Sequence, residues 1–395
     1  MSRYALVGAR VVLARTIDAD LAVLVRDGEI EALMPYGQLP PGLTRLDAGG
    51  CYLTPGLIDL HTHGAAGHGF DTPDAAGYDA VLAAHARSGV TAVQASLATS
   101  ALSHLAECLS FAAGYRPSGV RLIGVHLEGP FLAPEQAGAH DPALLRHPRP
   151  EDVKALLRAG SPTMVTLAPE LPGGIAATRA FAGAGAVVAI GHSQAAGAEF
   201  AAGVAAGATH LTHLWSGQSA LRREGPWRVP GLLEESLAST GLSAEVIADD
   251  RHLPPGLLRI AYRCLGGRLT VVSDSTPGLG LADGTPYRLG NLCCVVEDGV
   301  GMLPDRTAFA GSTTGLDRML GHLRRAAGLS VPETVATATR VPAAVLGLRR
   351  QGTLRPGGHA DLALLDDDLT ARATVVGGRW LMDLDGVAGE GELTR

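Results

Sequence analysis

The chain has 395 residues, 46% hydrophobic and 18% charged, with a formal net charge of −7. That length suits one large barrel plus a smaller domain, and the acidic balance argues against a general nucleic-acid or anionic-membrane binder. The five cysteines form no C-x-x-C pair and read as reduced thiols; with no apolar leader and no stretch of membrane-span length, a cytoplasmic protein is expected.

The first fifty residues read as short strands: Ala5–Leu13, Leu21–Arg26 and Ile30–Met34, the last two joined by an Asp27-Gly28-Glu29 hairpin turn. The far end is similar, with Ala360–Leu365, Thr374–Val376 and Arg379–Met382 around a Gly377-Gly378 turn. Neither piece is large enough to stand alone. Residues 1–54 and 347–395 are therefore expected to pair into one small β-sandwich, with residues 55–346 inserted as the catalytic domain.

The middle alternates apolar runs with helical patterns. The candidate strands are Leu57–His61, Val90–Ala95, Leu122–Leu127, Met164–Ala168, Val187–Gly191, Ala208–Leu211, Ala244–Ala248 and Leu269–Ser273. Helical periodicity appears over Asp74–Ser88, Ser103–Ala113, Asp152–Ala159, Ala195–Ala206 and Pro254–Cys264. Eight strands with helical crossovers predict an α/β fold, a parallel (β/α)8 TIM-like barrel. An open doubly wound sheet is the alternative, weakened because no G-x-G-x-x-G follows an early strand.

In a barrel, catalytic residues sit at the C-terminal ends of strands. His61 and His63 end strand one on one face, because side chains alternate with period two. Strand three delivers Glu128, strand five His192, strand six His213 and strand eight Asp274. Neutral imidazole and carboxylate suit zinc and similar divalent ions. Each residue alone is a weak signal, whereas six at the same end of five strands predict a metal site. His85, His104, His147, His322 and His359 fall in helical or loop patterns and read as surface or packing residues.

Several motifs carry a family resemblance. Pro55-Gly56-Leu57-Ile58-Asp59-Leu60-His61-Thr62-His63-Gly64, His126-Leu127-Glu128-Gly129-Pro130-Phe131, Gly191-His192-Ser193, Thr212-His213-Leu214 and Ser273-Asp274 resemble the amidohydrolase superfamily. Gly138-Ala139-His140, Thr166-Leu167-Ala168-Pro169-Glu170 and the terminal Gly352-Thr353-Leu354, Pro356-Gly357 and Ala360-Asp361-Leu362 narrow it to the N-acetylglucosamine-6-phosphate deacetylase family. Many amidohydrolases bridge two metals with a carboxylated lysine from strand four. Lys154, the sole lysine, lies in a helical segment before that strand, and the deacetylase resemblance implies Glu128 as the anionic ligand instead.

The resemblance implies hydrolysis of N-acetylglucosamine-6-phosphate to glucosamine-6-phosphate and acetate. Glu128, His192 and His213 would hold the principal zinc, with His61 and His63 offering a second position; some members lack that pair and use one metal. Asp274 would be the general base and acid and also a metal neighbour, and His140 would hydrogen-bond the carbonyl oxygen. Ala139, His140, Ser216, Gly217, Ala310 and Gly311 would contact the sugar. Arg223 and His252 would clamp the phosphate across a homodimer with shared sites.

Two departures from the family pattern touch the substrate. Ser216-Gly217-Gln218 stands where the family has Asn-Ala-Met, and Asp250 replaces a glycine. They keep open the same chemistry on another N-acetylated sugar, phosphorylated or not. A different amidohydrolase reaction and a catalytically silent binding protein are the remaining readings.

Overall fold

A computed structural model describes residues 3–387. Eight parallel strands run Leu57–Thr62, Val90–Ala98, Arg121–Glu128, Met164–Leu167, Val187–Ile190, Ala208–Leu211, Ser243–Ile247 and Leu269–Val272, here called strands one to eight. Each pairs in parallel with its neighbours in sequence order. At the mouth, strand eight returns to strand one: the Asp274 N–H donates to the His61 carbonyl at 2.9 Å and the His63 N–H to the Ser275 carbonyl at 2.7 Å. The expected α/β architecture, a (β/α)8 barrel, is what the chain forms. Strand two is buried from Val90 through Leu97, as a parallel strand covered on both faces must be.

The crossover helices include the five expected and others whose patterns are weaker, such as Gly174–Gly183 and Leu232–Ala238. The helix after strand eight, Leu316–Ala327, buries Leu316, Leu320 and Leu323 at i, i+4 and i+7. Each such leucine contributes roughly 1.5–3 kcal/mol. The helix ends on Gly328 in the left-handed region, a common stop.

The two chain ends form two further sheets. One is four-stranded, in the order Glu29–Pro35, Leu21–Arg26, Arg3–Val7, Thr44–Asp47. The other is six-stranded, in the order Arg379–Asp383, Ala371–Val376, Leu362–Leu365, Tyr52–Pro55, Arg10–Val12, Ile17–Asp18. Leu6, Val23, Leu53, Leu362, Val375 and Trp380 share one apolar core between them.

The expected single strand Ala5–Leu13 is a correction. It breaks at Gly8, whose φ of 67° suits glycine, and its halves enter different sheets. A meander that sequence periodicity did not mark follows strand eight: Pro286–Leu289, Leu292–Glu297, Val300–Met302 and Phe309–Ser312. It packs on its own small core of Tyr287, Leu289, Cys294, Val296 and Ala310. All five cysteines are free, and no helix among the described residues is long and apolar enough to cross a membrane.

Candidate active site

The barrel mouth gathers the residues marked from sequence. His61 lies in strand one with His63 just beyond it, and Glu128 closes strand three. His192, His213 and Asp274 each stand two residues past a strand end. His192 and Asp274 are left-handed, with φ of 47° and 43°. Backbone strain of this kind persists where surrounding structure over-determines it, commonly at functional sites. All six side chains are buried.

Glu128 is the hub. One carboxylate oxygen lies 2.8 Å from His213 Nε2 and 3.1 Å from His192 Nε2. The other lies 3.1 Å from His63 Nε2, 3.4 Å from His61 Nε2 and 3.5 Å from His140 Nε2. Asp274 Oδ1 is 3.3 Å from His63 Nε2 and 3.5 Å from His61 Nε2. The donor atoms fall into three overlapping groups: His61-His63-Asp274, His61-Glu128-His213 and Glu128-His140-His192. Nitrogen ligands about 2.0–2.1 Å from a tetrahedral ion lie roughly 3.3 Å from one another. The His61–His63 and His192–His213 Nε2 pairs are 3.3 and 3.2 Å apart. Donor chemistry and spacing both fit a divalent cation, with Glu128 able to serve two positions.

The electrostatics agree. Burial opposes charging His61 and His63, yet Glu128 and Asp274 outweigh it and raise both, His63 to about 9. Burial and the neighbouring His140 instead push His192 down to about 4. Burial likewise opposes charge on Glu128 and Asp274, but the surrounding imidazoles hold both carboxyls below their ordinary values. Two buried carboxylates thus demand positive charge, and a divalent ion satisfies them while leaving the imidazoles neutral as ligands.

Outer partners aim each ring. Gln136, Ser96 and Ser216 carbonyls lie at 2.7, 3.2 and 3.2 Å from Nδ1 of His192, His63 and His213, which holds the proton there and frees Nε2 for the centre. His61 Nδ1 is 3.0 Å from Glu245 Oε2. The fully buried Glu245 also meets His210 Nε2 at 3.0 Å and accepts the His213 N–H at 3.3 Å. Sequence reading missed Glu245; the signal was a carboxylate inside the apolar run of strand seven. His140 is set the opposite way: its Nδ1 accepts the Thr99 N–H at 3.2 Å, so its proton sits on Nε2, facing Glu128.

A cavity opens over this centre. Ala139, His140, Ser216, Gly217, His252 and Gly311 line it beside the metal-type residues. The meander adds Leu289, Ala308 and Phe309. Gly217 has φ of 58° and lies so close to the His192 ring that a Cβ would stand 2.6 Å from Nδ1. His252 bonds Asp249 through Nδ1 at 2.7 Å, another partner not anticipated.

Two expected residues stand elsewhere. Ala310 is fully buried behind the wall, where its carbonyl accepts the Tyr287 hydroxyl. Arg223 is exposed on a hairpin, Arg222–Glu224 paired with Trp227–Val229, outside its own chain's cavity. Asp250 is exposed, with φ of 64°, a backbone region aspartate tolerates better than most side chains; it does not line the cavity. Lys154 is exposed on the helix Pro150–Gly160.

Comparison with known proteins agrees with this geometry. Residues 52–381 match the amidohydrolase family model. The N-acetylglucosamine-6-phosphate deacetylase of Bos taurus is 34% identical over 350 residues, covering 86% of this chain and 85% of its own. That of Vibrio furnissii is 30% identical over 386 residues, covering 95% and 94%. Among solved structures, a mutant deacetylase from Mycobacterium smegmatis in complex with N-acetyl-D-glucosamine-6-phosphate superposes with a TM-score of 0.89 at 30% identity, covering 97% of this chain and all of that one. The chain therefore belongs to the amidohydrolase family and, within it, to the N-acetylglucosamine-6-phosphate deacetylase family.

Proposed function

We propose that the chain is a zinc-dependent hydrolase that converts N-acetylglucosamine-6-phosphate to glucosamine-6-phosphate and acetate. The observation that carries this reading is Glu128, with its two oxygens shared among five imidazoles and Asp274 alongside. When bound, a divalent ion lowers the pKa of a coordinated water toward about 7 and polarises the amide carbonyl.

The protein's residues do the rest. Asp274, ionised and held at the rim, takes a proton from the attacking water. It returns that proton to the sugar nitrogen as the C–N bond breaks. His140, fixed by Thr99 with its proton on Nε2, donates to the carbonyl oxygen as charge develops. Ser216, Gly217, Ala139 and Gly311 border the sugar, with Ala310 behind them. His252, braced by Asp249, presents its other edge to the phosphate.

Arg223 completes the phosphate clamp from a second copy of the chain. The exposed hairpin supports this: Leu221 is 55% and Trp227 72% exposed, apolar surface suited to a homodimer contact. The enzyme works in the cytoplasm.

One observation favours a second reading, the same chemistry on an unphosphorylated N-acetyl sugar. Gln218 is committed internally, accepting the Trp215 N–H and donating to the Thr212 carbonyl, so Ser216 is the polar side chain that residues 216–218 offer to the cavity. Acetate release by zinc-loaded protein from N-acetylglucosamine-6-phosphate and from N-acetylglucosamine separates the two. A kcat/KM of about 10⁴ M⁻¹s⁻¹ or more with the phosphorylated sugar alone supports the first. Equal turnover of both supports the second.

A further inference from the structure

The metal centre can be reached from two sides. A second cavity of ≈ 350 Å³ adjoins the central one of ≈ 180 Å³, and the two meet at His63, Ala98 and Leu289. Asp71, Ser100, His104 and Asn291 line the second cavity and not the central one, and each is at least partly exposed. The side cavity therefore has its own opening to solvent. No lysine or arginine lines it among the described residues.

The two openings differ in charge. On the reading proposed above, on which this inference rests for what fills the central cavity, the sugar phosphate enters beside His252 and Arg223 of a second copy. A divalent cation entering there meets like charge, and a bound sugar closes that way. The side cavity reverses the balance. The Asp71 carboxylate stands on its wall, fixed by the Gly290 N–H at 3.2 Å. Arg288 bonds the Asn291 carbonyl at 3.2 Å and stays outside the lining. A cleft lined by one sign of charge concentrates the opposite ion and raises its on-rate.

The walls also suit an ion on its way in. A cation travels with its water, and a hydration shell at about 30 Å³ per water fits the side cavity. Ser100 and Asn291 offer oxygens in place of shed waters, and His104 and His63 offer imidazoles of the kind zinc takes. Thr99, also on the lining, has a buried hydroxyl with no hydrogen-bond partner within the protein, and such an orphan calls for a water or an ion. His63 stands on the shared wall with its Nε2 3.1 Å from the Glu128 carboxylate, so an ion that passes it arrives at the centre. We infer that the side cavity is the route by which the divalent ion enters and leaves, with Asp71 as its collecting charge, so that metal exchanges while a sugar fills the central cavity.

A route differs from a binding site in its signature. Narrowing it slows uptake and loss alike and leaves the affinity unchanged, because both directions cross the same barrier. Stopped-flow mixing of the metal-free protein with zinc reads uptake through a zinc-sensitive dye, and mixing of the zinc-loaded protein with excess chelator reads loss. Ser100→Phe and Asn291→Trp each narrow the side cavity from its own wall. In at least one of them both rates should fall by about tenfold or more, a barrier about 1.4 kcal/mol higher, with Kd for zinc nearly that of the wild type. Asp71→Asn should slow uptake by up to about tenfold and weaken its dependence on ionic strength. Saturating glucosamine-6-phosphate should leave wild-type uptake nearly unchanged. Unaltered rates in all three variants would overturn the inference, as would wild-type uptake that glucosamine-6-phosphate blocks. Glucosamine-6-phosphate that does not bind at all would overturn the reading of the central cavity, and the variants' rates would still decide the route.

Discussion

The metal cradle and the hairpin around Arg223 both rise from the C-terminal end of the barrel, yet they are built in opposite ways. The cradle takes its six side chains from the ends of five strands, buries them and fixes the imidazoles through a second set of partners. The hairpin has two three-residue strands, exposed along nearly their whole length, and its Arg222 pairs with Glu224 two residues on. The cradle is complete within one chain; the hairpin offers its cation outward. On the reading proposed above, bond-breaking chemistry would rest on the barrel and phosphate recognition on the hairpin of a second copy.

The largest effect should come from the cradle. Asp274→Asn removes the proton acceptor while keeping the shape, so kcat should fall by about 10²–10⁴-fold with bound metal unchanged by elemental analysis. Near-normal turnover in that variant would remove Asp274 from the proton-transfer role. Glu245→Gln probes the layer beneath. Glu245 touches no substrate in this geometry, but it orients His61 and braces the backbone at His213. Losing such an outer partner typically costs about 10–100-fold in metal affinity or activity. The check is metal stoichiometry, with the loss concentrated at the His61–His63 position; unchanged stoichiometry and turnover would reduce Glu245 to packing.

Arg223 tests the other side of the comparison. Truncating a charged hydrogen-bond partner costs about 1.5–3 kcal/mol, so Arg223→Ala should raise KM for the phosphorylated sugar by roughly 10–100-fold and leave kcat nearly intact. A mixing experiment sharpens this. At substrate well below the KM of Arg223→Ala, heterodimers of Arg223→Ala with Asp274→Asn should be more active than either variant alone, because one site receives Asp274 from one chain and Arg223 from the other. No recovery on subunit exchange would place both residues in the same chain's site.

The contrast also explains what could be read from sequence. The eight barrel strands stand out because buried parallel strands are near-continuous apolar runs, and the metal-type residues fall at or just past their ends. Arg3–Val7 and Arg10–Val12 merge into one apolar run because the break at Gly8 is a single backbone torsion. The meander over residues 286–312 is half exposed and three of its four strands have four residues or fewer, too few for a period to stand out. Glu245 depends on His61, 184 residues away, a pairing that only the closed barrel creates. Ala310 and Gly311 are adjacent in sequence, yet only Gly311 reaches the cavity, since neighbours in a strand face opposite ways.

The last effect concerns stability, not turnover, and lies beneath strand one. His85 is fully buried, hydrogen-bonded through Nε2 to Thr62 at 3.1 Å and near Ser275 at 3.3 Å. Burial pushes it down to about 4 from the ordinary 6.5. The folded protein therefore keeps His85 neutral where the unfolded chain would protonate it. Between pH 6.5 and about 4 the unfolded state binds the extra proton, so this contribution is whole above pH 6.5 and shrinks as pH falls. At 1.36 kcal/mol per unit, the full span is worth about 3 kcal/mol. His85→Gln cannot take up the proton, so its stability should lack this part of the acid loss. The variant should be less stable than wild type at pH 7, because its bonding to Thr62 is altered, and the gap should narrow as the pH drops toward 4.5. Urea midpoints at both pH values measure it, and a gap that stays constant would show that His85 does not titrate on unfolding.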